Sequence, residues 1–228
     1  MHTHTFVLVH GAWSGGWSWE TVAEKLRHNK HRVFAPALSG LGERSHLAGK
    51  DITLSTHIDD IVNELTFKDL EDVVLVGHAY AGFVITGVAE RVPERIAAIV
   101  FLDAFMPSNG QSFADLTGMT NLPELVPVPA QPGASEASRA LSVRKSTPQP
   151  RGTFVEKLKV TGALSRIERK TFICATGWEG FQKTAEALRT DDAWDVYDID
   201  CGHEVLLERP AALALLLEEA AMEPDRAA

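Results

Sequence analysis

The residues best suited to chemistry lie in Val73-Val74-Leu75-Val76-Gly77-His78-Ala79-Tyr80-Ala81-Gly82. An apolar, β-branched run reads as a buried strand. The small residues after it force a sharp turn, and Phe83 to Val92 continues as a helix. Strand, glycine-flanked turn and helix is the setting of a G-x-S-x-G nucleophile elbow, which aims a hydroxyl at a substrate carbonyl. Small neighbours are required because the central residue sits in a strained turn with backbone packed close around it. Position 79, at its centre, is alanine. The setting for a nucleophile is present and the hydroxyl is missing. Two further residues bear on acyl-transfer chemistry. Asp103 ends the apolar run Ile96 to Leu102, where a charge is costly unless partnered. Strand ends of this kind are where sites assemble in doubly wound sheets, so Asp103 is a candidate to orient a histidine; the alternative is a helix cap or loop anchor. The histidine in view is His203, glycine-preceded in Cys201-Gly202-His203-Glu204.

Around these residues the chain alternates strands and helices. Phe6 to Val9 reads as a strand leading into His10-Gly11-Ala12-Trp13, and Ser18 as the N-cap of a helix through about Leu26. Arg32 to Pro36 is a strand, followed by a glycine-containing loop in which His46 reads as a surface or loop-anchoring residue. Thr56 to Leu65 has a helical period, with Thr56 and Asp59 as a capping pair. Lys170 to Ala175 and Trp194 to Ile199 are strands, with helices at about Phe181 to Arg189 and from Arg209-Pro210 to about Met222. Residues 104 to about 166 interrupt the alternation. Six of the eleven prolines fall between Pro123 and Pro150. Apolar residues such as Phe105, Met106, Phe113 and Leu116 argue against a bare linker, so this insertion reads as a small cap whose last helical part spans Thr153 to Leu164. After Glu223 a frayed tail is expected.

Composition narrows the class. A chain of 228 residues with 45% hydrophobic content suits one α/β domain over residues 1–228. The formal charge of −9 lacks the basic stripe of a nucleic-acid binder. Cys174 and Cys201 have no metal-ligand spacing and read as buried free thiols, so no metal is expected. No apolar run approaches the ~20 residues of a membrane span. Met1-His2-Thr3-His4 is not a signal sequence, and the expected location is cytoplasmic.

The elbow segment resembles that of the α/β-hydrolase superfamily, with Ala79 in the serine position. That resemblance implies an α/β-hydrolase fold: a mostly parallel central sheet, helices on both faces and a small cap. It implies oxyanion donors at the backbone N–H groups of Ala12 and Tyr80, a base at His203, and the chain order nucleophile, acid, histidine at 79, 103 and 203. Many superfamily members carry the acid after the strand matched here by Lys170–Ala175. The nearest carboxylate there is Glu179, so Asp103 is the favoured acid and Glu179 the alternative. VLVHGAWSGGWSW, VVLVGHAYAG and IVFLDAFMP resemble the branch containing plant methylesterases, hydroxynitrile lyases and bacterial cleavers of small esters or carbamates. The likeness covers roughly residues 5–107 and 167–222 and sides with the bacterial members, because the plant methylesterase pattern is apolar at position 103.

The branch implies a cofactor-free esterase acting on a small apolar or aromatic ester-like substrate, with Trp13, His78, Phe105 and Met106 in the pocket; Trp17 and Tyr80 are further lining candidates. Alanine at 79 has three explanations: a serine replaced to silence the enzyme, a natural binding protein on the same fold, or an enzyme using another group. Rival activities are a hydroxynitrile lyase using a cap lysine (Lys145, Lys157 or Lys159), a silent receptor, and a cofactor-free oxygenase.

Overall fold

The computed structural model describes residues 3–130 and 135–222. Met1 and His2, Pro132 of the proline-rich stretch and the expected tail (residues 223–228) lie outside the described residues. In chain order, β1 (Thr5–Val9) leads through a 3₁₀ turn at Gly16–Trp19 into α1 (Glu20–His28) and β2 (Arg32–Phe34). Then come α2 (Leu54–Phe67), β3 (Val73–His78), α3 (Ala81–Arg91) and β4 (Ile96–Leu102). The insertion holds α4 (Phe113–Thr117), β5 (Leu125–Val126), α5 (Glu136–Lys145), β6 (Gln149–Pro150) and α6 (Gly152–Val155). β7 (Arg169–Ala175), α7 (Gln182–Leu188), β8 (Asp195–Ile199), α8 (Val205–Glu208) and α9 (Pro210–Ala221) complete the chain.

Six strands form one sheet in the order β2-β1-β3-β4-β7-β8, every neighbouring pair parallel. Strand side chains alternate between faces, and the core divides accordingly. Val7, Leu75, Phe101 and Phe172 pack on the face covered by α2 and α3. Phe6, Leu8, Val74, Val76 and Val100 pack on the opposite face, against α1 and α9. The central strand β3 is buried along its whole length, which explains its unbroken apolar run. The outer strands differ. β2 is only three residues long, and β8 exposes Asp195 and Asp198, the latter ion-paired to Arg189. Cys174 and Cys201 are free and buried, and each thiol is pushed up to about 11, chiefly by burial.

Several local expectations need correction. Thr53, not Thr56, is the N-cap of α2. Thr56 at the third helical position completes a reciprocal capping box with it, while Asp59 ion-pairs with Arg91. Ser18 does not cap α1; it lies inside the 3₁₀ turn, where its hydroxyl donates to the Gly15 carbonyl at 2.8 Å. No helix spans Thr153 to Leu164. α6 ends at Val155, and the backbone of Leu158 then bonds to Gly110 and Gln111 instead of to a helical turn. α5 carried no apolar signal because the residues it buries are Ser138 and Ser142.

Gly82 holds the elbow helix against the chain that follows β4. A Cβ at this position would lie 1.9 Å from the Phe105 carbonyl oxygen, a backbone atom. The same stretch of chain places the Phe105 N–H on the Ala79 carbonyl at 3.2 Å. Gly82→Ala should therefore destabilise the fold by about 3 kcal/mol, lowering Tm by roughly 5–10 °C in a thermal melt.

Candidate active site

The turn between β3 and α3 is an elbow in its torsions. Ala79 has φ 53°, in the left-handed region that non-glycine residues enter at a cost of about 1–2 kcal/mol. The strain is held by backbone bonds: the Ala79 N–H donates to Leu102 at 3.2 Å, and its carbonyl accepts from Gly82 and Phe105. Gly11 lies against the turn so closely that a Cβ there would be 3.3 Å from the Ala79 methyl.

Asp103 follows β4 directly and is 0% exposed. Its carboxylate is satisfied by three donors. Oδ1 accepts the Ala175 N–H at 3.1 Å, and Oδ2 accepts the Trp178 indole N–H at 2.7 Å. Oδ2 also lies 2.6 Å from His203 Nδ1. An ionised carboxylate only accepts, so Nδ1 carries the proton and Nε2 keeps its lone pair. The His203 ring is flanked by Trp178 and His78, with centroids 4.6 and 4.7 Å away. His78 Nε2 donates to the His203 carbonyl at 3.0 Å and so fixes the loop as well as the ring. Burial, and then the neighbouring His203, hold the His78 pKa well below 6.5, leaving it a neutral donor.

A cavity of about 360 Å³ opens over these groups. Its base includes Ala12, Ala79, Tyr80 and His203. Trp13, Trp17, His78 and Phe105 also line it, and the insertion contributes Phe113, Pro129, Ala130, Ser142 and Ser146. No acceptor engages the Ala12 or Tyr80 N–H among the described residues. The Tyr80 ring turns away into an aromatic cluster with Phe83, Phe113 and Phe154, and its hydroxyl donates to His57 Nδ1 at 3.0 Å.

Not every expected residue arrives. Met106 is half-buried against the core and is not among the residues that line the cavity. Glu179 is exposed and Asp103 occupies His203 Nδ1, because Trp178 instead of its neighbour turns inward. Lys145 sits over the Trp17 ring, Lys157 pairs with Asp115 and Lys159 is exposed; none lines the cavity. His46 is exposed, as read. Trp178 and Gln149 carry no functional signal in the sequence. Trp178 is one of five tryptophans with nothing local to mark it, and nothing in the sequence pairs Gln149 with residues more than a hundred positions away.

Two further histidines support the floor of the site. His10 accepts the Leu38 N–H at Nε2 and donates from Nδ1 to the Gly11 carbonyl. His57 donates from Nε2 to the Ser39 carbonyl at 2.9 Å. Burial lowers both from 6.5 to about 4. Because the unfolded chain binds more protons between those values, their stability contribution is complete above pH 6.5 and disappears as pH falls through 4. Urea midpoints should therefore drop from pH 6.5 to 4, and His57→Gln should make that dependence shallower.

The profile of the Alpha/beta hydrolase family matches residues 6–215. A carbendazim-hydrolysing esterase from Nocardioides sp. (strain SG-4G) is 37% identical over 232 residues, covering 92% of this chain and 96% of the relative. Methylesterase 10 of Arabidopsis thaliana is 35% identical over 124 residues, and the match spans 53% of this chain and 45% of that protein. Among solved structures, an extracellular alpha/beta-hydrolase from a Paenibacillus species superposes with a TM-score of 0.84 at 27% identity, covering 96% of this chain and 100% of the other. Its description notes structural and functional homology to tobacco salicylic acid binding protein 2. With a parallel six-stranded sheet, a strained turn after its third strand and a match over nearly its whole length, the chain belongs to the α/β-hydrolase family.

Proposed function

We propose that this chain is a small-molecule esterase whose nucleophile position carries alanine in place of serine, so that it binds substrate and scarcely turns it over. The observation behind this reading is the Asp103–His203 pair at 2.6 Å, whose histidine lines the same cavity as the left-handed Ala79. In the Ala79→Ser form the hydroxyl attacks the acyl carbon while His203 Nε2 takes its proton. Asp103 holds the imidazole tautomer and stabilises the imidazolium. The Ala12 and Tyr80 N–H groups bind the oxyanion, each donor contributing about 3 kcal/mol to the transition state. His203 then protonates the leaving group and later activates the water that cleaves the acyl-enzyme.

The substrate class we propose is a small apolar or aromatic ester or carbamate. Support comes from the aromatic lining at Trp13, Phe105 and Phe113 and from the relative that hydrolyses carbendazim. Residues 104–166 act as a cap within a single hydrolase domain, since they supply one side of the cavity. The test is to make Ala79→Ser and assay it beside the alanine chain on methyl aryl esters, aryl carbamates and p-nitrophenyl esters. Turnover in the serine form only is the expected result. Equal inactivity in both forms, with tight ligand binding, would support a receptor instead.

A further inference from the structure

We propose that Gln149 is a positioning residue for the oxyanion donors, acting through the backbone of Trp13. This rests on the reading of Ala12 as an oxyanion donor. Trp13, the next residue, has φ 59°, a conformation that a non-glycine residue adopts only when its surroundings impose it. Three hydrogen bonds impose it here, all from the insertion. The Trp13 N–H donates to Gln149 Oε1 at 2.9 Å, its carbonyl accepts from the Thr147 N–H at 2.9 Å, and its indole N–H donates to the Val126 carbonyl at 3.1 Å.

The direction of the Gln149 amide is determined by its other end. The Thr153 hydroxyl donates to the Pro150 carbonyl at 2.7 Å, so its oxygen is left to accept from Gln149 Nε2, also at 2.7 Å. Gln149 therefore presents its oxygen, not its NH₂, to Trp13. Both Gln149 and Thr153 are 0% exposed, so no water substitutes for either bond. The peptide between Ala12 and Trp13 is planar, and anchoring its N–H leaves Ala12 only its own two torsions. The Ala12 N–H is then held toward the cavity while the Trp13 N–H is withdrawn from it. Oxyanion donors act at full strength only when fixed in advance. The insertion thus reaches the chemistry through its hold on Trp13, in which the buried Gln149 takes the N–H.

The test has a kinetic and a structural arm. In the Ala79→Ser protein, Gln149→Leu should lower kcat about tenfold to a hundredfold with KM within about twofold. Gln149→Glu, which keeps an acceptor in a side chain of similar shape, should recover most of that loss. In the alanine chain itself, Gln149→Leu should accelerate hydrogen exchange of the Trp13 amide at least tenfold and leave the β3 amides unchanged. If Gln149→Leu fails to fold, Thr153→Val, which removes the orienting partner together with its bond to the Pro150 carbonyl and leaves the Gln149 oxygen in place, should shift kcat and exchange in the same directions. An unchanged kcat, a change confined to KM, or unaltered Trp13 exchange would overturn the proposal. An inert Ala79→Ser protein overturns the hydrolase reading, and with it the catalytic half of this one. Trp13 exchange in the alanine chain then decides the clamp by itself.

Discussion

Placing serine at position 79 should raise ester turnover by about 10⁶, the factor associated with losing the nucleophile of a comparable serine–histidine–acid site. The elbow torsion is already in place with alanine, and the Leu102 and Phe105 backbone bonds that hold it do not involve the side chain. Exchanging a methyl for a hydroxymethyl group should therefore leave Tm nearly unchanged while turnover appears. A burst of product equal to the enzyme concentration would identify acyl-enzyme formation, and cyanide release from a cyanohydrin would identify lyase chemistry instead. No gain on any ester or carbamate, in a protein that melts like the alanine chain, would remove the basis for the esterase reading.

In that serine background Asp103→Asn should reduce kcat by about 10⁴. Three donors converge on this carboxylate: the Ala175 N–H, the Trp178 indole N–H and His203 Nδ1. An asparagine has one accepting oxygen and one donating NH₂. With its oxygen on Ala175, the NH₂ faces two donors. His203 must then accept at Nδ1 and carry its proton on Nε2, where it can no longer take one from serine, and the Trp178 N–H is left opposite another donor. Stability should also fall, because a buried unpaired donor costs about 1–3 kcal/mol. The change in kcat is therefore measured well below the variant's melting temperature. Glu179→Gln supplies the comparison. That residue is exposed, and its substitution should leave kcat within about twofold. A large loss in Glu179→Gln together with a small one in Asp103→Asn would exchange their roles.

The sequence disclosed those features that depend on short spans of chain. The run Val73–Val76 had to be a fully buried strand because nothing polar interrupts it. A lone carboxylate ending the next apolar run had to find partners, and Asp103 has three. His203 was expected from the resemblance, which singles out the loop between the last strand and the last helix, and the fold sets it against Asp103. Distant pairing was hidden. Trp178 and Glu179 are adjacent in sequence, and only the path of the loop decides that the indole turns inward and the carboxylate outward. Met106 was expected in the pocket, being apolar beside the site, and the fold leaves it half-buried against the core and outside the cavity lining. The cap was least legible. Its longest helix buries serines, and Gln149 is an ordinary glutamine until the fold sets it beside Trp13.

The two outermost strands bear on how molecules of this protein meet. A three-residue rim on one side offers little backbone to a visiting strand, and on the other the exposed Asp195 and the Asp198–Arg189 ion pair set charged side chains along the rim. Neighbouring copies approaching rim to rim would bring like charges together around unpaired peptide groups. The sheet ends at six strands, with neither rim offering a long uncharged edge for a continuous ribbon.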